Sequence, residues 1–254
     1  MDHSLILYKY LSPDRVKTLS DLELRFSPIR PVSILNDPFE CCFELIPIPS
    51  ERAESEADDG QVERYEVEIY IESNFYHAGL LCLSRNPLNK QMWGHYAVNN
   101  KGFVIGLHRD EGPFDGEVKI SRQLCPLEMT GVPGFGTFRD VVYTDEAYKI
   151  KHGEVPVDAF FMKTTEWAHE EEVRIFRSLS DASTIVESEP RTVNLFRIPE
   201  KAIAEIIIGS ACTPEVFEAA RYLFLSGRVS GAKFFQVKLD IYKKSLSLVP
   251  IDFT

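Results

Sequence analysis

The run Trp167-Ala168-His169-Glu170-Glu171-Glu172-Val173-Arg174-Ile175-Phe176 holds the densest chemistry in the chain. Read as an extended strand, it turns Val173 and Ile175 one way and Glu170, Glu172 and Arg174 the other, because successive side chains alternate across a pleat. Two carboxylates and a guanidinium then share one face. On a solvated face they would be ordinary cross-strand ion pairs. The apolar flanks Trp167 and Phe176 point instead to partial burial, where neighbouring carboxylates perturb each other's protonation, as they do in active sites. A second cluster is Met92-Trp93-Gly94-His95-Tyr96-Ala97. Met92, Trp93, Tyr96 and Ala97 fall on one helix face, which suits a core. The same face suits an aromatic heterocycle, with the Tyr96 ring and hydroxyl as its contacts and Gly94 admitting a flat ligand or another backbone. Trp93 and His95 would flank such a ligand, although His95, i+4 from Gln91, lies on the polar side. The third cluster is Asn36-Asp37-Pro38-Phe39-Glu40. Pro38 pushes Asp37 towards an extended conformation, and Asn36 and Asp37 can bond either nearby backbone or a ligand, while Phe39 is expected to pack inward.

Asp37, Glu40, Glu170 and Glu172 could also serve as hard oxygen ligands in a metal-dependent nuclease, but no ligand spacing compels that reading and no metal is assigned. There is no GxGxxG after a strand, no Walker loop, no GxSxG elbow and no HExxH. Gly131-Val-Pro-Gly-Phe-Gly136 lacks the lysine of a phosphate cradle and reads as a loop. Cys41, Cys42, Cys82, Cys125 and Cys212 contain no CxxC pair, so neither a disulfide framework nor a zinc knuckle is indicated.

The elements that must position these residues follow from periodicity and breakers. Strands are expected at Leu5 to Tyr10, Leu22 to Phe26, Leu80 to Ser84, Phe103 to Leu107, Val141 to Tyr143, Glu170 to Arg177, Val193 to Ile198, Ile206 to Ile208, Phe234 to Tyr242 and Leu246 to Ile251. Helices are expected after a Ser12 cap towards Ser20, at Gln61 to Tyr76, around Met92 to Ala97, at Val157 to Thr165, and from a Thr213 cap to Leu225. Glu51, Glu54, Glu56, Asp58 and Asp59 make residues 50–60 a mobile, solvated acidic loop. The fold expected is a single α+β domain over residues 1–254, with a mixed, mainly antiparallel sheet flanked by short helices. The absence of regular strand-helix alternation disfavours a doubly wound sheet. Acidic residues outnumber basic ones 39 to 28, so a broad DNA-coating surface is disfavoured. No basic leader or ~20-residue apolar run is present, which points to a cytoplasmic chain without a membrane partner.

Taken in order, Leu7-Tyr8-Lys9-Tyr10, the Phe26-Ser27-Pro28 turn with NDPFE, Leu81-Cys82-Leu83-Ser84 with MWGHYA and KGFVIG, Lys163-xxx-Trp167 with Glu170-x-Glu172-x-Arg174, and IPEKAIAEIIIG form a pattern. From Leu7 to about Gly209 it resembles the bacterial domain of unknown function 2971. More distantly, the arrangement resembles ADP-ribosyltransferase-like folds, including bacterial DNA-modifying toxins, which implies a role in toxin or phage-defence biology. That second resemblance implies NAD as substrate and Tyr96 and Glu172 as catalytic residues, with the tyrosine stacking on nicotinamide and the glutamate holding the ribose. It implies substrate binding by Lys9, Tyr10 and Ser84, although the first motif commonly carries His or Arg where this chain has Lys9. Asn36, Asp37, Trp93, His95, Glu170 and Arg174 complete the expected binding set, with a protein or nucleic-acid acceptor of ADP-ribose as the implied partner. A catalytically silent nucleotide- or partner-binding domain is the alternative. Under the enzyme reading, Tyr10, Ser84, Tyr96 and Glu172 should converge, and Glu172→Gln should cost little stability because one of two like charges is removed.

Overall fold

A computed structural model describes residues 6–28, 37, 39–40, 43–46, 78–109, 136–151, 157–187 and 192–253. Asn36, the acidic loop at 50–60 and the helix expected at Gln61 to Tyr76 lie outside these residues. The strands are β1 (Ile6–Leu11), β2 (Glu23–Pro28), β3 (Glu44–Ile46), β4 (Ala78–Ser84), β5 (Phe103–His108), β6 (Arg139–Asp140), β7 (Val142–Tyr143), β8 (Lys149–Lys151), β9 (Met162–Lys163), β10 (Glu172–Ser178), β11 (Thr184–Val186), β12 (Val193–Arg197), β13 (Ile203–Ile208), β14 (Lys233–Asp240) and β15 (Ser245–Pro250). Among the described residues three α-helices accompany them: α1 (Lys17–Asp21), α2 (Lys90–His95) and α3 (Pro214–Leu225). Among the described residues no helix is long and apolar enough to cross a membrane.

Eleven strands form one open sheet in the order β11-β12-β2-β4-β1-β5-β13-β14-β15, with β10 added to β4 and β6 to β10. All its pairings are antiparallel except β13 with β14. The chain is therefore a single α+β domain with a mixed, mainly antiparallel sheet. Its middle follows from composition: β5 and β13 carry apolar, β-branched side chains on both faces and are buried along nearly their whole length. The edge strands β11 and β15 are largely exposed.

Alternation divides the core into two faces. Leu7, Leu81, Leu83, Ile105, Val173, Ile175, Ile206 and Ile208 pack with Leu19 of α1 and Val216, Ala220 and Leu223 of α3. The other face carries Tyr8, Tyr10, Val104, Ile207 and Val237, which receive Met92, Trp93 and Ala97 from α2 and its end. Each such large side chain, fully buried, contributes about 1.5–3 kcal/mol of transfer free energy. The α3 helix begins where Thr213 Oγ1 accepts the Val216 N–H at 3.4 Å and Pro214 takes the first helical position.

The sheet forks at β4. One of its edges pairs with β10 over its full length, from Glu172↔Ser84 to Ser178↔Ala78. The opposite edge is shared: β2 takes Gly79 and Leu80, and β1 takes Ser84 through Tyr8. Between these contacts the Cys82 carbonyl accepts the Lys9 ammonium at 2.9 Å. Buried backbone carbonyls need a donor, and a side chain supplies it where the ladder parts.

Two of the expected helices differ from expectation. The segment Val157 to Thr165 forms only a 3-10 turn, Asp158–Phe161, before β9. Adjacent Phe160 and Phe161 both pack edge-on to Phe176, and the chain leaves the turn in an extended conformation at Met162 to enter β9. The segment after Ser12 divides into a 3-10 turn, Pro13–Arg15, and α1, and the Ser12 hydroxyl bonds Asp14 rather than capping a backbone N–H.

Tight backbone approach holds the end of β13 against the start of β5. Gly209 N–H donates to Gly102 O at 2.9 Å, and a Cβ on Gly209 would stand 2.0 Å from Asn100 O. Gly209→Ala should lower unfolding free energy by at least ~2 kcal/mol in urea titration, since backbone must shift to admit the methyl group. Gly94→Ala should be neutral or stabilising by up to ~1 kcal/mol, because nothing lies within 4 Å of its Cβ position and the residue is helical.

Candidate functional site

The polar centre is built by the turn that precedes β10. Thr165–Glu170 forms a 3-10 turn, and Glu171 follows in the left-handed region at φ 46°, ψ 50°. Glu170 is therefore not a strand residue, and the expected pleat relation between Glu170 and Glu172 is corrected: a left-handed reversal, rather than alternation, brings them together. Lys163 Nζ at the end of β9 donates to Glu170 Oε2 at 2.7 Å and to Glu172 Oε2 at 3.3 Å. The two carboxylates are thus no more than about 6 Å apart. The other oxygen of Glu170 accepts the Tyr96 hydroxyl at 2.6 Å. Glu172 accepts Arg174 Nε and Nη2, each at 2.9 Å, in a two-pronged pair. Arg174 Nη1 donates to Phe160 O at 2.7 Å, and its Nη2 also closes on Glu40. Tyr143 Oη accepts the Glu172 N–H at 2.7 Å.

The NDPFE segment locks onto the same centre. Asp37 Oδ2 accepts the Thr164 N–H at 3.1 Å and its hydroxyl at 2.9 Å, while Oδ1 accepts the Phe39 N–H at 2.9 Å. Asp37, Glu40, Glu170, Glu172, Lys163 and Arg174 are all buried. Four carboxylates therefore face two cations away from bulk water, and the solvated-face reading of Glu170 to Arg174 is excluded. Phe39, expected to pack inward, is 69% exposed. Its neighbours' carboxylates take the buried positions on either side, which turns the ring out.

Burial raises the Glu172 carboxyl above its ordinary range, against the pull of the Lys163 ammonium. Burial alone would lower Lys163, yet the Glu172 and Glu170 carboxylates hold it above its usual value. The Arg174 guanidinium is lowered by burial, with the Asp37 carboxylate opposing. Burial, reinforced by the Glu172 charge, lifts the Cys82 thiol. Each charged group here is stabilised by its neighbours rather than by water, so deleting one leaves another uncompensated.

The remaining expected residues form a frame beside this centre. Ser84 stands opposite Glu172 in register, but its hydroxyl accepts the Asn86 N–H at 3.1 Å. Tyr10 Oη donates to Asn86 O at 2.6 Å and accepts the Asn89 N–H at 3.2 Å. Tyr10 and Ser84 therefore meet at Asn86, whose Nδ2 reaches Glu171 Oε1 at 3.1 Å. Tyr96 contacts Glu170, the neighbour of Glu172 across Lys163. Trp93 is wholly buried, edge-on to Tyr10, with its indole N–H donating to Pro87 O at 2.8 Å. His95 is exposed on the outer side of α2, and Lys9 serves the fork in β4.

Sequence reasoning did not assign Lys163 or Tyr143 to the site. Lys163 stands in the Lys163-xxx-Trp167 pattern, and its ammonium lies 4.7 Å from the Trp167 ring centre, so the spacing carried the signal without its meaning. Among the described residues no group of three or more His, Cys, Asp or Glu side chains is placed to hold a metal ion. No family model, no curated protein and no solved structure matches the chain.

The network argues against near-neutral stability for Glu172→Gln, because the amide gives up the charge that pairs with both Arg174 and Lys163. Glu172→Gln should cost about 3–5 kcal/mol in chemical denaturation. Lys163→Met should cost a similar amount and leave Glu170 and Glu172 facing each other. A carboxyl whose pKa is higher folded than unfolded binds more protons in the folded state, so folding is favoured as pH falls. The Lys163→Met deficit relative to the unmodified chain should be largest above the raised Glu172 value and shrink as pH falls towards the ordinary carboxyl value of about 4.3. Denaturation midpoints across pH 4 to 8 measure it.

Proposed function

We propose that the chain is an NAD-using enzyme of the ADP-ribosyltransferase-like type, transferring ADP-ribose or hydrolysing NAD, and that it belongs with domain of unknown function 2971. The observation that carries the reading is a half-buried tyrosine in hydrogen-bond contact with one of two carboxylates that share a single ammonium. Loss of nicotinamide breaks the ribose C1′–N bond and leaves oxocarbenium character on C1′, which fixed negative charge stabilises. Tyr96 offers its ring to nicotinamide, and Gly94, open above α2, leaves room for a flat group. Glu170 and Glu172 supply the charge, and Lys163 and Arg174 hold it in place. The acceptor is water or a nucleophile on a protein or nucleic acid. The chain order Tyr10 of β1, Ser84 of β4 and Glu172 of β10 also supports the reading, with Ser84 opposite Glu172 in register.

A silent binding domain is the second reading, favoured by one observation: Arg174 occupies both oxygens of Glu172. The two readings separate in one experiment. NAD labelled in its nicotinamide is incubated with purified protein, and binding and nicotinamide release are both measured. Release is the expected result. Binding without release supports the silent domain, and neither defeats the proposal. Tyr96→Phe and Glu170→Gln should lower turnover by about tenfold and at least ~100-fold respectively, with folding checked at the assay temperature. Gly94→Ala should weaken NAD binding about tenfold while leaving the fold intact or firmer.

A further inference from the structure

We infer that Asn89 is a positioning residue that fixes the distance between Tyr96 and Glu170. These two side chains come from separate elements: Tyr96 follows the last turn of α2, and Glu170 ends the 3-10 turn before β10. Asn89 touches both elements. Its Oδ1 caps α2 by accepting the N–H groups of Gln91 at 2.9 Å and Met92 at 3.1 Å. Its Nδ2 donates across 80 positions of sequence to the carbonyl of His169, the residue before Glu170. Its own backbone N–H is held by Tyr10 Oη at 3.2 Å, and its carbonyl accepts the Trp93 N–H at 3.0 Å.

Every polar atom of Asn89 is thus committed, and the side chain joins the start of α2 to the turn carrying the carboxylate. From this anchor Tyr96 lies seven residues on, about 10 Å along a helix. A small rotation at the cap therefore moves the phenol by enough to break a 2.6 Å contact. The packing of Trp93 into the core limits the helix to such rotations. The inference rests on the proposed function only for what the tyrosine-carboxylate pair then does.

The two halves of the amide can be separated. Asn89→Asp retains an acceptor for the α2 cap and replaces the donor to His169 O with an oxygen. Asn89→Ala removes both. With 3-fluorotyrosine placed at position 96, the fluorine resonance reports the Tyr96–Glu170 contact whether or not NAD is turned over. The reference for a lost contact is the Glu170→Ala variant, which removes the acceptor of the Tyr96 hydroxyl. Asn89→Asp is expected to move the resonance most of the way to that reference while the Tm falls by no more than a few degrees, and to raise KM for NAD about tenfold with a smaller change in kcat. Asn89→Ala should lower the Tm further through loss of the cap.

A resonance unmoved in folded Asn89→Asp overturns the inference. So does an Asn89→Asp variant as thermally weakened as Asn89→Ala, because the residue would then be only a helix cap. If the resonance moves but the unmodified chain releases no nicotinamide, positioning stands and the enzymatic reading falls. If nicotinamide is released and the resonance stays, the reverse holds.

Discussion

One ammonium shared by two buried carboxylates governs the arrangement. Without Lys163, Glu170 and Glu172 could not both remain charged within about 6 Å of each other in a site shielded from water. The demand extends outward from there. Arg174 must carry Glu172, Glu40 must then face Arg174, and Asp37 ties the same segment to Thr164. The left-handed conformation of Glu171, unusual for a residue with a side chain, exists because Glu170 has to turn back onto Lys163. Its own carboxylate accepts from Asn86, which helps hold that conformation.

This centre sits on the same face of the sheet as α2, and the two are supported differently. The helix is seated by apolar burial of Met92 and Trp93, which is strong but non-directional. The carboxylates are seated by directed hydrogen bonds. Residues 84–89 reconcile the two, because their backbone and amide groups accept from Tyr10, cap the helix and reach the turn. Tyr10 and Ser84 therefore support the site by shaping this segment rather than by facing the carboxylates.

Much of the fold was legible because it depends on local patterns. Apolar, β-branched runs marked β5 and β13, Thr213-Pro214 marked the start of α3, and the mainly antiparallel sheet followed from strands that are not joined by regular long helices. In the site, the pairing of Glu172 with Arg174 followed from spacing. The place of Glu170 did not, since a positive φ at Glu171 interrupts the alternation and no Gly or Asn announces it. Lys163 was obscure because a lysine is ordinarily solvated, and only partners seven and nine positions away make its burial tolerable. Phe39 was misread because its aromatic character outweighed the two acids beside it.

The forked edge of β4 has a consequence for the order of assembly. This strand takes its neighbours from the beginning of the chain and from a segment about 90 residues further on. During synthesis, β1 and β2 are available to β4 at once, but its other edge remains open until β10 has emerged. Contacts so distant in sequence close slowly because the loop entropy is lost before the pairing compensates for it. The hydrophobic strand Ala78–Ser84 is consequently a half-paired template in the nascent chain, able to recruit a foreign strand. The arrival of β10 ends that exposure and creates the charged centre in the same step, so chains that escape aggregation at this edge are those that have completed the site.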